Sequence, residues 1–549
     1  MKVLLIQPPI RDFYDTEIRL QPLGLCMLKA VVRRFLPHTE VLVADYHQGF
    51  GRRTLPYPPQ LSYLHEYYPY PDASPFCTFH NYYHFGLPFE EIGNSAARER
   101  PDLVGISSLF SPYYREALSC AREIRKRLNV PIIMGGSHVS ASPLSVLRDP
   151  CVDFVIRGEG ERPFVEFLKV LESGGRFEKV PNLGFKRDGE TVLNAMEENY
   201  AFEDLPVADF SDLPRNRYLY RKRPLCFVTT SRGCPHRCAF CSVHVTFGEG
   251  FRRRSPENVV SEIKQRHSEG YRIFDFEDDN LSFHEADFKR LLRLLIAEFP
   301  QEDAHFMAMN GISYHSLDEE MLGLMKKAGF TSLNISLVSA EEAVLCKVGR
   351  PHRVEKYLEV VDQAHRLGFE IVSYQILGLP YEALDDMVKT MVLMARLPVL
   401  IGASIFYLTP GSPMAADFPP WGEMDSLKSR STAMALETDR FSRDDLYTLF
   451  IMARIINFLK GLRIEKKTMT IQEAMDGAAA LGKRVATGAE LLTRLFTEKR
   501  LYAETRQGLK PLSRFEADLF LRVWNDLSYV RTRQGGIIDV GPLTASGLP

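Results

Sequence analysis

The stretch "SRGCPHRCAFCSVH" (residues 231–244) sets Cys234, Cys238 and Cys241 in a C-x₃-C-x₂-C pattern beside Gly233. Three chemistries use clustered cysteines of this kind. Structural zinc wants four ligands, commonly in two C-x₂₋₄-C pairs, and His236 and His244 are near enough in sequence for a Cys₃His site. A disulfide framework belongs to an oxidising compartment. Three thiolates also hold three irons of a 4Fe–4S cube and leave the fourth iron open. A zinc module usually forms a small domain of its own, whereas this loop follows an apolar run, "PLCFVTT", that opens a long alternating pattern.

That pattern continues with "YRIFDFE", "AHFMAMN", "TSLNISL", "FEIVSYQIL" and "LIGASIFYL", with helical periodicity between them at 256–268, 284–298, 318–327, 353–367 and 382–396. Strand–helix units in this order, over 215–415, predict a partial (β/α)₆ barrel, whose chemistry sits on loops at the carboxyl ends of the strands. Towards the N-terminus, "KVLLIQ", "TEVLVAD", "DLVGISS", "VPIIMGG" and "VDFVIRG" alternate with helical segments at 22–35, 88–99, 112–128, 142–148 and 161–173. Continuous apolar strands covered by crossover helices predict an α/β, doubly wound, flavodoxin-like domain over 1–195. Such sheets bind ligands where the strands end, and here "GGSH" (135–138) and "RGEG" (157–160) let backbone approach a large ligand. An insert at 52–87, rich in tyrosine and proline, predicts an ordered lid on that face. Beyond 415 the periodicity is helical, giving a C-terminal domain over 416–549.

The 549 residues suit about three domains. A formal net charge of −2 gives no global argument for nucleic acid or an anionic membrane as a partner, although "RNRYLYRKR" and "RRRS" are local basic runs. The start "MKVLLIQPPI" is too short an apolar run for an export signal, and "MVLMARLPVLIGASIFYL" is broken by Arg396 and Pro398, so no transmembrane segment is expected. The nine cysteines are then read as cytoplasmic thiols. Cys26, Cys120, Cys151, Cys226 and Cys346 look like small buried apolar residues, and Cys77 in the insert is a candidate substrate-side thiol.

With Phe240 before its last cysteine, the C-x₃-C-x₂-C loop on the first strand of a six-unit barrel resembles the radical S-adenosylmethionine (SAM) superfamily. "FEDDN" (276–280) resembles its acidic motif at the methionyl amino group, "ILGLP" (376–380) its adenine motif, and "YLTPGSP" (407–413) the close of its sixth strand. "QPP" with "PLGLCMLKAVV", then "VGISS", "GGSH" and "IRGEGE", resemble the cobalamin-binding domain of the cobalamin-dependent subclass. The resemblance implies a 4Fe–4S cluster on Cys234, Cys238 and Cys241. It implies SAM contacts at Phe240, Asp278, Asp279, Asn280, Ser336, Ile376, Gly378 and Leu379. It implies cobalamin contacts at Pro8, Ser107, Ser108, Gly135, Gly136, His138, Gly158, Glu159 and Gly160.

By the same resemblance the cluster cleaves SAM to a 5′-deoxyadenosyl radical, and the enzyme is a methyltransferase that moves a methyl group through cobalamin to an unactivated carbon or phosphorus. A small-molecule, lipid or peptide substrate and a flavodoxin- or ferredoxin-type electron donor are implied. The alternatives are an oxidative cyclase or rearrangement enzyme with the same cofactors, and a non-catalytic sensor holding cobalamin and zinc. The chain departs from relatives in two places: Val338 stands where many have glutamate, and Asn310 where many have arginine. "DYHQGFG" (45–51) offers the Asp45 and His47 of a D-x-H-x-x-G cobalt-ligand loop but has Phe50 at the glycine, and is read as coincidence.

Overall fold

A computed structural model describes residues 1–18, 20–299, 303–350, 353–419 and 425–542. Parts of the expected C-terminal domain, 420–424 and 543–549, lie outside the described residues. The chain forms two compact units. One comprises Met1–Pro56, Tyr82–Phe306 and Leu408–Ser429; the other comprises Tyr57–Asn81, Met307–Tyr407 and Arg430–Pro549.

In the first unit, strands β1 (Lys2–Gln7), β2 (Glu40–Asp45), β3 (Leu103–Ser107), β4 (Ile132–Gly135) and β5 (Phe154–Ile156) lie parallel in the order 2-1-3-4-5. β6 (Leu183–Arg187) and β7 (Glu190–Leu193) extend the sheet antiparallel beyond β5. Val3, Leu4, Leu5 and Ile6 are all buried, as a strand covered on both faces requires. The strand order reverses between β1 and β3, and a doubly wound sheet opens its ligand crevice at that point. Where one helix was expected at 142–148 there are two, Ser137–Ala141 and Pro143–Leu147. Pro143 has no amide hydrogen to continue the first helix but suits the first turn of the second.

A second sheet of this unit takes β8 (Leu219–Tyr220), β9 (Arg223–Val228), β12 (Ile273–Phe276) and β13 (His305–Met307), with β9 and β12 parallel. Between β9 and helix Pro256–Ser268, β10 (Ser231–Arg232) pairs antiparallel with β11 (Arg252–Arg253). That short ladder closes the neck of the cysteine loop.

In the second unit, β14 (Ser332–Val338), β15 (Glu370–Leu377) and β16 (Leu400–Ile405) are parallel neighbours. Helices Glu319–Ala328, Val354–Arg366 and Leu384–Ala395 intervene as their periodicity predicts. The tail is led by helix Arg443–Gly461, opened by a reciprocal Ser442–Asp445 capping box. It also carries short strands at Thr468–Thr470, Tyr502–Thr505, Gly508–Pro511, Tyr529–Arg531 and Ile537–Asp539, which helical periodicity did not reveal. The insert is ordered. Residues 57–81 pack on this tail, with Tyr63 and Tyr68 hydroxyls donating to Ala433 O (2.6 Å) and Thr432 O (2.9 Å), and Phe76 edge-on to Phe458. The flanking strands Arg52–Leu55 and Tyr82–Phe85 pair in the first unit.

Candidate active site

The cysteine loop is built from its neck outward. Gly233 has φ +81°, and a Cβ on it would lie 2.2 Å from Gly250 O, so only glycine fits this turn. The Gly233 amide donates to Asp279 Oδ2 at 2.9 Å. Further along, the Cys241 amide donates to Cys238 O at 3.0 Å, folding the second and third cysteines into one turn. Cys238 is buried, Cys234 and Cys241 are half-buried, and all are free thiols. Burial pushes the Cys241 thiol up to about 11, and Cys238, Asp279 and Cys234 push the same way, so the three sulfurs are near enough to feel one another. Such a set ionises readily only when a cation takes the place of the protons, which is the chemistry of a metal centre. Asn280 Nδ2 lies 3.5 Å from Cys234 Sγ. The His236 ring packs edge-on to Phe283, with centroids 6.0 Å apart. Among the described residues no group of three or more His, Cys, Asp or Glu stands in ready-made metal geometry, the three cysteines included.

The two aspartates of "FEDDN" do different work. Asp278 is 2% exposed and accepts from the amides and hydroxyls of Thr230 and Ser231 at 2.5–3.1 Å. It ties β12 to the neck of the loop, with Oδ1 accepting most of these bonds and Oδ2 only sharing the Thr230 amide. Asp279 keeps one oxygen on Gly233, and burial, with Asp278 beside it, pushes its carboxyl up to about 6. It is the carboxylate of this pair that faces the cysteines. Phe240 is half-buried in the same loop.

At the carboxyl ends of the first sheet, Pro8 and Ser108 are buried and Ser107 is half-buried. The Ser108 amide donates to Gly135 O (2.7 Å), and the His138 amide donates to Ser108 O (3.1 Å). His138 is buried, its Nδ1 3.0 Å from Ser111 Oγ, and burial lowers its pKa to about 4, so the ring is neutral. Ser108 Oγ and His138 Nε2 are buried with no hydrogen-bond partner. A Cβ on Gly135 would meet only Ile156 O, at 3.9 Å, so space is open before it, and Leu109 and Phe110 beside it are 37% and 44% exposed. An open glycine, two orphaned polar atoms and an uncovered apolar pair fit a large ligand with polar and apolar faces, as a corrin is. Gly136 differs: φ is +116° and a Cβ would sit 2.6 Å from Ser108 O. Gly136→Ala is therefore expected to cost about 2–3 kcal/mol by chemical denaturation and to weaken cobalamin binding, measured by absorbance titration.

The "DYHQGFG" segment is accounted for inside the fold. Asp45 accepts from the Tyr218 hydroxyl and the His47 amide, and His47 Nε2 bonds Ile18 O at 3.0 Å. That histidine is fully buried, with Nε2 engaged and Nδ1 buried without a hydrogen-bond partner.

The loop after β5 meets the cysteine loop. Gly158, with φ +68°, donates from its amide to Ser140 Oγ at 2.8 Å, and Gly160 precedes helix Glu161–Ser173. Glu159, expected against cobalamin, instead has one oxygen 2.7 Å from Arg232 and the other 2.6 Å from Arg252, because two guanidiniums converge on it. Arg232 also bonds Glu161 at 2.7 Å. Sequence reading missed Arg232, Arg252 and Glu161: charges next to glycines look like solvated loop residues.

In the second unit, Ser336 and Ile376 are half-buried, Gly378 turns at φ +84°, and Leu379 has no exposed surface. Asn310 is exposed. Val338 is buried with φ +69°, a conformation costly for a β-branched residue, and the register of β14 shifts between Ser336 and Val338. The next residue, Ser339, donates through Oγ to Glu382 at 2.8 Å. Burial above all, with Asp386 and Glu341 nearby, raises the Glu382 carboxyl to about 8. A folded pKa above the unfolded one means that the native state holds the extra proton. Stability then falls as pH rises from the ordinary carboxyl value of 4.5 to about 8, and is flat above. Glu382→Gln is expected to raise the melting temperature relative to wild type at pH 8.5 and to lose that advantage below pH 5, by calorimetry.

Other expectations for cysteines divide. Cys26, Cys120 and Cys226 are buried, Cys151 is half-buried, and Cys346 is exposed, because its short helix turns Val344 and Leu345 inward instead. Cys77 is half-buried, with Arg484 Nη2 3.7 Å from its sulfur.

Residues 228–394 match the model of the radical SAM superfamily, and residues 78–168 that of the B12-binding domain. An uncharacterised methyltransferase of Pyrococcus horikoshii is 28% identical over 319 residues, covering 57% of this chain and 68% of the relative. The cytidylyl-2-hydroxyethylphosphonate methyltransferase of Streptomyces wedmorensis is 25% identical over 416 residues, covering 69% and 73%. Among solved structures, the radical SAM methyltransferase TsrM of Kitasatospora setae, with cobalamin and a [4Fe-4S] cluster bound, superposes with TM-score 0.58 at 18% identity, covering 76% of this chain and 77% of that one. The cobalamin-dependent radical SAM enzyme OxsB superposes with TM-score 0.61 at 14% identity, covering 90% and 72%. The fold is thus that of a B12-binding domain followed by a radical SAM domain. The chain thus carries a B12-binding domain and a radical SAM domain, and the cofactors these imply are cobalamin, a 4Fe–4S cluster and SAM.

Proposed function

We propose that this enzyme is a methyltransferase acting on an unactivated carbon or phosphorus of a small molecule. The observation that carries the reading is that the glycine loop after β5 and the cysteine loop after β9 share one buried ion pair, Glu159–Arg232, at 2.7 Å. The relatives that are methyltransferases support it. When bound, the cluster and SAM supply a hydrogen-abstracting radical and cobalamin supplies the methyl group.

The chain's own residues hold and shield. Cys234, Cys238 and Cys241 would ligate three irons, and Asp279 would accept the methionyl ammonium. Ile376 would lie against adenine. Gly135, Ser108 and His138 would receive cobalamin, with Leu109 and Phe110 against its apolar surface and excluding water. A low-potential flavodoxin or ferredoxin is the electron donor we expect. Among the described residues no helix is long and apolar enough to cross a membrane, and free thiols suit a cytoplasmic setting.

The test is anaerobic reconstitution with cobalamin, reductant and SAM labelled on its methyl group. The expected result is S-adenosylhomocysteine together with label in the corrinoid fraction. Formation of 5′-deoxyadenosine with neither would sink methyl transfer and favour cyclisation or rearrangement. One zinc per chain and no sulfide would favour the sensor.

A further inference from the structure

Arg232 lies two residues before Cys234, yet its guanidinium is held by acids of the first sheet. Nη1 is 2.7 Å from Glu159 Oε1 and Nη2 is 2.7 Å from Glu161 Oε1. The remaining oxygens are also engaged: Glu159 Oε2 by Arg252 at 2.6 Å, and Glu161 Oε2 by Asn199 Nδ2 at 2.6 Å. Phe202 lies across the Arg232 guanidinium at 4.5 Å, and Phe247 at 5.9 Å. The side chains of Arg232, Glu159 and Glu161 are 10%, 9% and 6% exposed.

Two guanidiniums and two carboxylates balance in charge. Replacing such a buried network by apolar groups often leaves stability unchanged, so its plain use is to fix one geometry. A guanidinium fork that bridges two carboxylates fixes both distance and plane. On one side the fork grips the residues that flank Gly160, the N-terminal boundary of helix Glu161–Ser173. On the other, Arg232 is locked to Arg252 by the β10–β11 ladder and followed at once by Gly233, which Asp279 and the Gly250 carbonyl hold from either side. A second contact runs parallel to it: a Cβ on Gly158 would lie 3.3 Å from Thr246 O, in the helix that follows the cysteines. The path from the glycine loop to Cys234 therefore has no flexible link.

We propose that Arg232 is a positioning residue that couples the two cofactor loops, so that assembly of the cluster on the cysteines tightens cobalamin binding at the glycine loop, and the reverse. The proposal rests on the assignment of the cluster to Cys234, Cys238 and Cys241 and of cobalamin to the carboxyl ends of the first sheet, where the loop of Gly158 and Gly160 follows β5. Coupling between sites is reciprocal and is commonly five- to a hundredfold in affinity.

The experiment titrates cobalamin, by absorbance, into anaerobic full-length protein with the cluster reconstituted and with the cluster chelated away. In wild type the cluster is expected to tighten cobalamin binding about tenfold. Arg232→Gln is expected to keep its iron while that ratio falls to within about twofold of one. Arg232→Lys, which keeps the charge but grips one carboxylate at a time, should give an intermediate ratio. Glu159→Gln loosens the same grip from the other side, leaving one uncompensated positive charge where Arg232→Gln leaves one negative, and should lower the ratio even if Arg232→Gln folds poorly. The paramagnetic spectrum of the reduced cluster should shift on cobalamin addition in wild type and stay unmoved in Arg232→Gln. A wild type with its cluster but equal affinities overturns the coupling alone, as do Arg232→Gln and Glu159→Gln variants that keep the full ratio. A wild type that assembles no cluster overturns the cofactor assignment, and the coupling with it.

Discussion

Cys238→Ala, reconstituted without oxygen, is expected to retain less than about one iron per chain, where wild type takes about four, and to form no 5′-deoxyadenosine above background. Three thiols are all that the loop offers. A cube held at two corners exchanges its irons with solvent. Cys238 is the most telling of the three because it is 8% exposed and its carbonyl accepts from the Cys241 amide, so the backbone turn survives the substitution. Far-ultraviolet dichroism and the melting temperature of the cluster-free protein should match those of cluster-free wild type. Cys346→Ala, which alters an exposed thiol, is the control and should keep its iron. A Cys238→Ala protein that still holds four irons and sulfide would remove the cysteine loop from the centre of the mechanism.

How far the sequence alone carried this site depends on which physical signal each residue leaves. Parallel strands buried on both faces appear as unbroken apolar runs, so β1 to β5 stood out, as did the strands that follow the cysteine loop. Strand order left no such mark. β6 and β7 were missed because Leu183–Arg187 and Glu190–Leu193 form an antiparallel hairpin with an exposed end, and the three-residue strands of the tail are too short to show a period. Spacing identified the cysteines because ligation demands it. Direction was the weak point. Nothing in "RGEGE" or "FEDDN" tells whether a carboxylate faces a ligand or a protein partner, since the partner of Glu159 lies 73 positions away and those of Asp278 lie 47 and 48 away. Asp278 and Asp279 are adjacent and chemically identical, yet one is walled in and the other opens on the thiols.

That difference sends the effect of substitution to stability at one position and to SAM at its neighbour. Asp278→Ala is expected to lose about 3–5 kcal/mol of stability, because it strands the buried amides and hydroxyls of Thr230 and Ser231, and each unmade hydrogen bond costs about 1–3 kcal/mol in part compensated by local relaxation. Asp278→Asn keeps one carbonyl oxygen where Oδ1 accepts most of those bonds, so its cost should be nearer 1 kcal/mol. Asp279→Asn should leave the melting temperature within about 2 °C of wild type, since one oxygen remains for the Gly233 amide. Its effect should fall on SAM instead. Loss of a charge-assisted bond to the methionyl ammonium is worth about 1.5–3 kcal/mol, a tenfold or greater rise in the dissociation constant by equilibrium dialysis on reconstituted protein. Iron content should stay near four in Asp279→Asn and fall in Asp278→Ala, whose loop has lost its anchor at the neck. If Asp278→Ala proves stable and deficient only in SAM binding, the inward carboxylate is the ligand after all, and the neck of the cysteine loop must be held by the Gly233 turn and the β10–β11 ladder alone.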